Sequence, residues 1–315
     1  MLVNTFNDTK KLYYESLVAD NKSRNTVQGY ISTLNRYGQF CERNNLDADD
    51  PQAVVEFKAY LRERGNKSSS IALALTHLRC FFDFAVAVRA ADASPCTAAI
   101  TKVKKEQRKP YEKKVTEHEF LQILTASCPK RMHRATFTRN KAILILLLTS
   151  AIRNSELRDL RVSDLNFEQG SVRVSNGKGG KYRYALFPAV AQEAVRRYLK
   201  DGYRSEDLSD DDYLFGVNGP DGWRQLERQE LSSLVCRSIE KFTGKSGVRT
   251  HALRHTAASI MRSNGLDLDS ISEILGHESI QTTRIYAEWL DGATPTAAGN
   301  AIFDSLCAAQ QEKRT

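Results

Sequence analysis

Lys141-Ala142-Ile143-Leu144-Ile145-Leu146-Leu147-Leu148-Thr149 runs, one residue later, into Ala151-Ile152-Arg153-Asn154-Ser155-Glu156-Leu157. The apolar core of this stretch, Ala142 to Leu148, is far too short to span a bilayer. It reads instead as a buried helix whose end delivers Arg153 to the start of the next one. Three more short pieces follow in the C-terminal half: Gly177-Lys178-Gly179, His251-Ala252-Leu253-Arg254-His255, and Leu275-Gly276-His277, with Tyr286 nine residues beyond. Two arginines, a lysine, two histidines and a tyrosine can bind a phosphodiester, attack it and protonate the group that leaves. That set needs no metal and no cofactor.

Each piece has its own physical reading. A guanidinium fork matches the non-bridging oxygens of a phosphodiester and keeps its charge, so Arg153 and Arg254 suit a phosphate clamp. Taken singly, an arginine near a helix start is more simply a surface ion pair. Lys178 lies between glycines that let the backbone approach a ligand, and a lysine at a turn tip can donate a proton to a leaving oxygen. Gly-Lys-Gly is also an ordinary turn composition. His251 and Arg254, three apart at a helix start, are expected on one face, with His255 pointing elsewhere in a structural role. Gly276 suits a helix C-cap, and His277 after it suits a hydrogen bond to phosphate. A phenol is a weak nucleophile unless its anion is stabilised, and the surrounding cations would do that for Tyr286. Tyr286 could equally be a core side chain beside Ile285 and Trp289.

Working outward, Ser171–Val174 and Tyr182–Leu186 alternate like strands around Asn176-Gly177, which predicts a hairpin. Thr116-Glu117-His118-Glu119 forms a capping box ahead of Phe120, Ile123 and Leu124. Pro188 opens a helix. Further helices are expected at about 226–242, 252–264, 268–275, 282–290 and 296–309. On the N-terminal side, Val27, Tyr30, Ile31, Leu34, Tyr37 and Cys41 recur at helical spacing with Asn25 or Thr26 as cap. Pro51 opens a second helix that Gly65 closes, and Ser68-Ser69-Ser70 caps a third. Residues 101–112 hold many lysines and almost nothing apolar, as a linker does. The predicted organisation is a helical domain over 1–100, a basic linker over 101–112, and a mixed α+β domain over 113–315. The fold class is mainly α with a small β-hairpin or sheet.

The 315 residues carry a net charge of +8, which favours a polyanion such as nucleic acid as partner. Lys22, Arg24, Lys67, Arg79, Lys102, Lys104 and Lys105 are candidate phosphate contacts, though for any one of them a solvated face is the simpler reading. The six cysteines are scattered, which disfavours a zinc site or a disulfide framework. With no signal core at the N-terminus, a reduced, cytoplasmic protein without membrane contact is expected.

In this order the motifs resemble the tyrosine recombinase (phage integrase) family. Ser23–Cys41 and Ser68–Ala85 resemble its SAM-like core-binding domain, and residues from about 113 resemble its catalytic domain. The resemblance implies that Arg153, Lys178, His251, Arg254 and His277 surround the scissile phosphate, that Tyr286 is the nucleophile, and that Glu156 supports Arg153 or His251. It implies cleavage and rejoining of double-stranded DNA at a specific site through a 3′-phosphotyrosine and a Holliday junction. A homo-tetramer on two duplexes follows from it, with a related partner recombinase as an option. The chain opens on the core-binding helices, as in the simple Xer and Cre type. Its departure is Ala151-Ile152 where the family has Gly-Leu, which bears on local packing. The last helix, with Ala297, Ala298, Ile302, Phe303 and Leu306, resembles the segment that relatives dock into a neighbour; packing on its own domain is the equal alternative. Two other functions fit part of the set: a type IB topoisomerase-like enzyme, and a catalytically silent DNA-binding regulator.

Overall fold

The computed structural model describes residues 3–104, 114–130, 132–175, 182–201, 209–220, 222–276 and 295–312. The chain divides into two compact units, Met1–Lys109 and Pro110–Thr315.

The first unit is helical: α1 (Val3–Ala19), α2 (Arg24–Asn44), α3 (Pro51–Glu63), α4 (Ser68–Ala87) and the single turn α5 (Ala98–Thr101). Helix α2 begins earlier than its apolar period suggests, because the Ser23 hydroxyl accepts from the Thr26 amide at 3.2 Å and caps it. Asp50 caps α3 through the Gln52 amide, with Pro51 at the first helical position. Ser68 opens α4 rather than capping it; Lys67 takes the cap position, and its carbonyl already accepts from Ser70 and Ile71. Helix α1 is one that the period from Val27 onward leaves out. Phe6, Thr9, Tyr13 and Leu17 fall on one face of it and are buried. Aromatic edges meet in the core, with Phe6 and Phe81 centred 5.1 Å apart and Tyr37 and Phe57 5.2 Å apart. The Tyr37 hydroxyl, inside that core, donates to the Ala48 carbonyl at 2.7 Å. Helix α4 is long and apolar enough to cross a membrane, yet Ile71, Leu75, Leu78, Phe81 and Phe82 on it are all core residues. The stretch read as a linker from Thr101 starts on this unit: Lys58 Nζ donates to the carbonyls of Ile100 and Lys102.

The second unit begins with α6 (Glu117–Thr125), and its capping box is formed. Thr116 Oγ1 accepts from the Glu119 amide, and the Glu119 carboxylate accepts from the Thr116 amide at 2.6 Å. Helix α7 (Arg134–Ser150) is the central element, buried at every residue from Ala142 to Ser150. Helices α9 (Ala189–Asp201), α10 (Arg228–Thr243) and α11 (Thr250–Ser263) pack around it. After α8 (Asn154–Asp159), strands β1 (Leu165–Asn166), β2 (Ser171–Ser175) and β3 (Tyr182–Leu186) form an antiparallel sheet in that order. The register pairs Val172 with Ala185 and Val174 with Arg183. A second hairpin, β4 (Gly216–Gly219) with β5 (Gly222–Gln225), escapes sequence reading because its glycines leave no alternation to see. A Cβ at Gly216 would lie 2.5 Å from the Trp223 ring.

Helices α12 (Leu268–Leu275) and α13 (Pro295–Glu312) complete the described unit. The helix expected over 282–290 lies outside the described residues. Helix α13 packs on its own domain, against β3, α9 and α12. Its Phe303 is fully buried with its ring edge-on to Phe120, and Asn300 donates to the Gly170 carbonyl at 2.8 Å. Truncating Phe303 to alanine should therefore lower stability by about 3–5 kcal/mol, the range for a large buried aromatic. Urea unfolding of the two proteins measures it. A change below 1 kcal/mol would mean that the helix is not seated there in solution.

Candidate active site

Four elements of the second unit converge on the C-terminal end of α12. Helix α7 ends at Ala151, which takes the left-handed conformation at φ 53°. This is the position where the sequence carries alanine in place of glycine, so the departure places a Cβ in a backbone region that disfavours it. The turn sets Arg153 at the cap position of α8, and Glu156 in the first turn of that helix accepts from the Arg153 amide at 2.6 Å. One step on, Asn154 Nδ2 reaches Thr250 Oγ1 at 3.3 Å and ties this turn to the start of α11, which carries His251 and Arg254.

The arginines meet on consecutive backbone carbonyls. Arg153 Nη2 donates to Gly276 O at 3.0 Å, Arg254 Nη2 to Leu275 O at 2.5 Å, and Arg183 Nη1 to Ile274 O at 3.2 Å. Arg254 Nη1 also donates to Ala151 O at 2.6 Å, so it reaches the ends of two helices. Helix C-termini carry partial negative charge and unpaired carbonyls, which is what guanidinium groups satisfy. Among the described residues the carboxylate of the cluster is Glu156, accepting from Arg153 Nη1 at 2.7 Å and from Arg183 Nη2 at 2.6 Å. Three guanidinium charges against that carboxylate leave the described cluster positive, an arrangement suited to an anionic group.

Burial grades the members. The Arg153 side chain is 40% exposed, whereas Arg254 is 6% and Arg183 8% exposed. Burial, then Arg153 and Arg183, push the Arg254 pKa down to about 10, so it stays charged at neutral pH. Burial also lowers Arg183, and Glu156 opposes that. Burial alone would raise Glu156; Arg183 and Arg153 outweigh it and hold the carboxyl below its ordinary value.

Sequence reasoning and structure differ at α11. His251 and His255 share its exposed face, edge to face with centroids 4.6 Å apart, while Arg254 turns inward. Residues four apart are only about 40° out of phase on a helix, against about 60° for three apart, so His255 is the nearer neighbour of His251. Arg183 was not among the candidates. The signal that could have found it is the alternation of β3, which puts an arginine in phase with Ala185 on the buried face. Gly276 is the left-handed C-cap expected of it, at φ 63°, and it has a second reason to lack a side chain: a Cβ there would lie 2.6 Å from Arg183 Cδ. Lys178, His277 and Tyr286 lie outside the described residues.

In the first unit, an open cleft of about 1290 Å³ runs along α2. Gln28, Ser32, Asn35, Gln39 and Arg43 form a stripe down that helix facing it, and Lys22, Arg24, Arg36 and Arg64 add charge. Among the described residues no carboxylate lines it. Of the other candidates, Lys67, Arg79, Lys102 and Lys104 are exposed outside this lining, and Lys105 lies beyond the described residues.

The Phage integrase family matches residues 113–292, and the Phage integrase, N-terminal SAM-like domain matches residues 11–88. The chain is 31% identical to tyrosine recombinase XerD of Halalkalibacterium halodurans and 30% identical to tyrosine recombinase XerC of Anoxybacillus flavithermus, in each case over 287 residues, 89% of this chain and 92% of the relative. Among solved structures, the Tn1549 transposon integrase with circular intermediate DNA superposes with a TM-score of 0.64 at 18% identity, covering 86% of this chain and 92% of the other. A lambda integrase dimer bound to a COC′ core site gives 0.63 at 18% identity, covering 87% and 95%.

Glu156→Gln should cost about 3–5 kcal/mol at neutral pH, since removing one partner of a buried pair leaves uncompensated charge. The folded-state pKa of Glu156 lies below its unfolded value. Its stabilisation is therefore complete above the ordinary glutamate pKa of about 4.3, begins to fade below it, and is lost as the pH falls through the lower folded-state pKa. The difference between wild type and Glu156→Gln in urea unfolding should shrink from pH 7 to pH 3.5. A difference that holds constant would mean that the carboxylate charge contributes nothing.

Proposed function

The chain belongs to the phage integrase family, the tyrosine recombinases, and from that premise we propose that it is a site-specific DNA recombinase acting through Tyr286. The observation that carries this reading is the meeting of Arg153 and Arg254 on Gly276 O and Leu275 O, directly before His277. The two donors lie 101 residues apart in the chain, on the α7–α8 turn and on α11. Such preorganised donors stabilise charge on a reacting phosphate without reorganising at the moment of reaction.

In the proposed reaction Tyr286, its phenol proton released to solvent and its anion stabilised by the surrounding cations, attacks the scissile phosphorus while the bond to the 5′ oxygen breaks. A 3′-phosphotyrosine forms, and Lys178 gives its proton to the departing 5′ oxygen. Arg153 and Arg254 take up the charge on the non-bridging oxygens, and His251 and His277 hydrogen-bond to the phosphate. Glu156 holds Arg153 in place. A 5′-hydroxyl from the partner duplex then attacks the phosphotyrosine and releases Tyr286. The link keeps the energy of the original bond, so no ATP is consumed. Two exchanges, separated by a Holliday junction, complete the recombination on a tetramer of this chain, with a related recombinase as an optional partner. It would work in the cytoplasm, on double-stranded DNA.

The domains divide the task. Residues 1–100 would grip the duplex through the α2 cleft, whose amide and arginine side chains match base edges and phosphates and whose lining has no carboxylate to repel them. The basic segment over 101–112 would follow the phosphate backbone, and residues 113–315 would carry the chemistry.

Sequencing DNA recovered from covalent adducts of the wild-type chain identifies the site. On a nicked duplex of that sequence, Tyr286→Phe should form no adduct while binding DNA nearly as wild type does. An adduct from this variant would show that the nucleophile lies elsewhere. Exchange of strands between two labelled duplexes separates recombination from simple nicking and resealing.

Lys178→Ala should slow cleavage of ordinary DNA and recover on a substrate with a 5′-bridging sulfur, whose departure barely needs a proton. Arg153→Ala should lose at least ~10²-fold, the scale for one charge-stabilising donor, and should not recover. Equal defects of Lys178→Ala on both substrates would take the lysine out of the acid's role.

A further inference from the structure

We infer that Arg183 is a positioning residue of the reaction: it locks Glu156 against the end of α12, so that Arg153 and the backbone leading to His277 are held in one geometry. The inference rests on the recombinase reading above. Arg183 comes from β3, in register with Val174, and its side chain faces inward. Its two terminal nitrogens join two different elements, Glu156 of α8 at 2.6 Å and Ile274 O of α12 at 3.2 Å. Arg153 makes the corresponding pair of contacts, to the same carboxylate and, two residues further on, to Gly276 O. The two arginines therefore form parallel rungs between one carboxylate and one helix end. The outer rung is half-buried and the inner one is buried.

The stem of Arg183 occupies the space beside Gly276, where any Cβ would collide with it at 2.6 Å. Its Nε is buried with no hydrogen-bond partner among the described residues. A site that buries a guanidinium with an unmatched donor gains little from it as a core residue. What the position supplies is alignment. The charged groups facing Glu156 are Arg153 from the α7–α8 turn, Arg183 from β3 and Arg254 from α11. Arg183 is the nearest buried countercharge. Without it, burial should carry the Glu156 carboxyl upward, and a protonated Glu156 no longer holds Arg153.

The test compares wild type, Arg183→Met, Arg183→Lys, Glu156→Gln and the double variant Arg183→Met/Glu156→Gln. Adduct formation is followed on the nicked duplex under single-turnover conditions at saturating DNA, with circular dichroism confirming the folded state. Arg183→Met should cleave ~10–100-fold more slowly, within the range for loss of supporting groups around a site, with DNA affinity changed less than about threefold. The acid limb of its pH–rate profile should move to higher pH. Arg183→Lys, which keeps the charge and loses one arm, should fall between and leave the acid limb near wild type. The double variant should be no slower than the slower single variant, as for residues acting through one another. Multiplicative effects, an unmoved acid limb, or Arg183→Met cleaving within twofold of wild type would each overturn the inference. Urea unfolding of the same five proteins between pH 3.5 and 7 gives a readout that needs no DNA. Additive effects of Arg183→Met and Glu156→Gln there overturn the inference even if the Tyr286 assignment fails. A dead Tyr286→Phe beside a normal Arg183→Met overturns it while leaving the recombinase reading intact.

Discussion

Three guanidinium groups share the carbonyls of Ile274, Leu275 and Gly276, and the geometry of the second unit depends on that contact. Like charges brought together away from water repel strongly, and each loses hydration. The fold answers with three kinds of negative partner: the carboxylate of Glu156, the dipole end of α12, and the end of α7 at Ala151. None suffices alone. The balance keeps a net positive charge, so the cluster remains attractive to a phosphate while being stable without one.

This constraint explains features that would otherwise look unrelated. Helix α7 is buried from Ala142 to Ser150, which fixes where it stops and hence where Ala151 offers its carbonyl. Ala151 accepts a left-handed backbone to make the turn that aims Arg153. Gly276 lacks a side chain both because α12 ends there with positive φ and because Arg183 fills the adjacent space. The short sheet supplies the remaining arginine, and its outward tyrosines, Tyr182 and Tyr184, are the alternation partners of the inward Arg183. Helix α13, seated through Phe303, packs against β3 and α12.

The first unit meets a different demand. Its aromatic core holds α1, α2 and α4 together with no buried charged residue among those described, and one long face of α2 carries amides and arginines. The stripe of Gln28, Ser32, Asn35, Gln39 and Arg43 repeats at three- and four-residue spacing, the same period that buries Leu34, Tyr37 and Cys41 on the opposite side. Core packing and a polar, basic surface thus occupy two faces of one helix.

By itself the sequence determined the elements whose signals are local. The capping box at Thr116, the hairpin of β2 and β3, the helix openings at Pro51 and before Ala189, the buried run into Arg153 and the motif order were all legible, because caps, turns and apolar periods act within a few residues. The glycine-rich β4–β5 hairpin was not, since it has no side-chain pattern to show, and α1 was missed although Phe6, Tyr13 and Leu17 carry its period. Only the tertiary structure decided which charges pair. Arg183 and Glu156 are 27 residues apart, and Arg153 and Gly276 are 123 apart. It also decided that His251 meets His255 edge to face while Arg254 turns inward. A guanidinium has the same propensities wherever it stands in a chain; what gives Arg183 its place is the desolvation of its site and the nearest carboxylate and carbonyl, and these exist only once distant segments have packed.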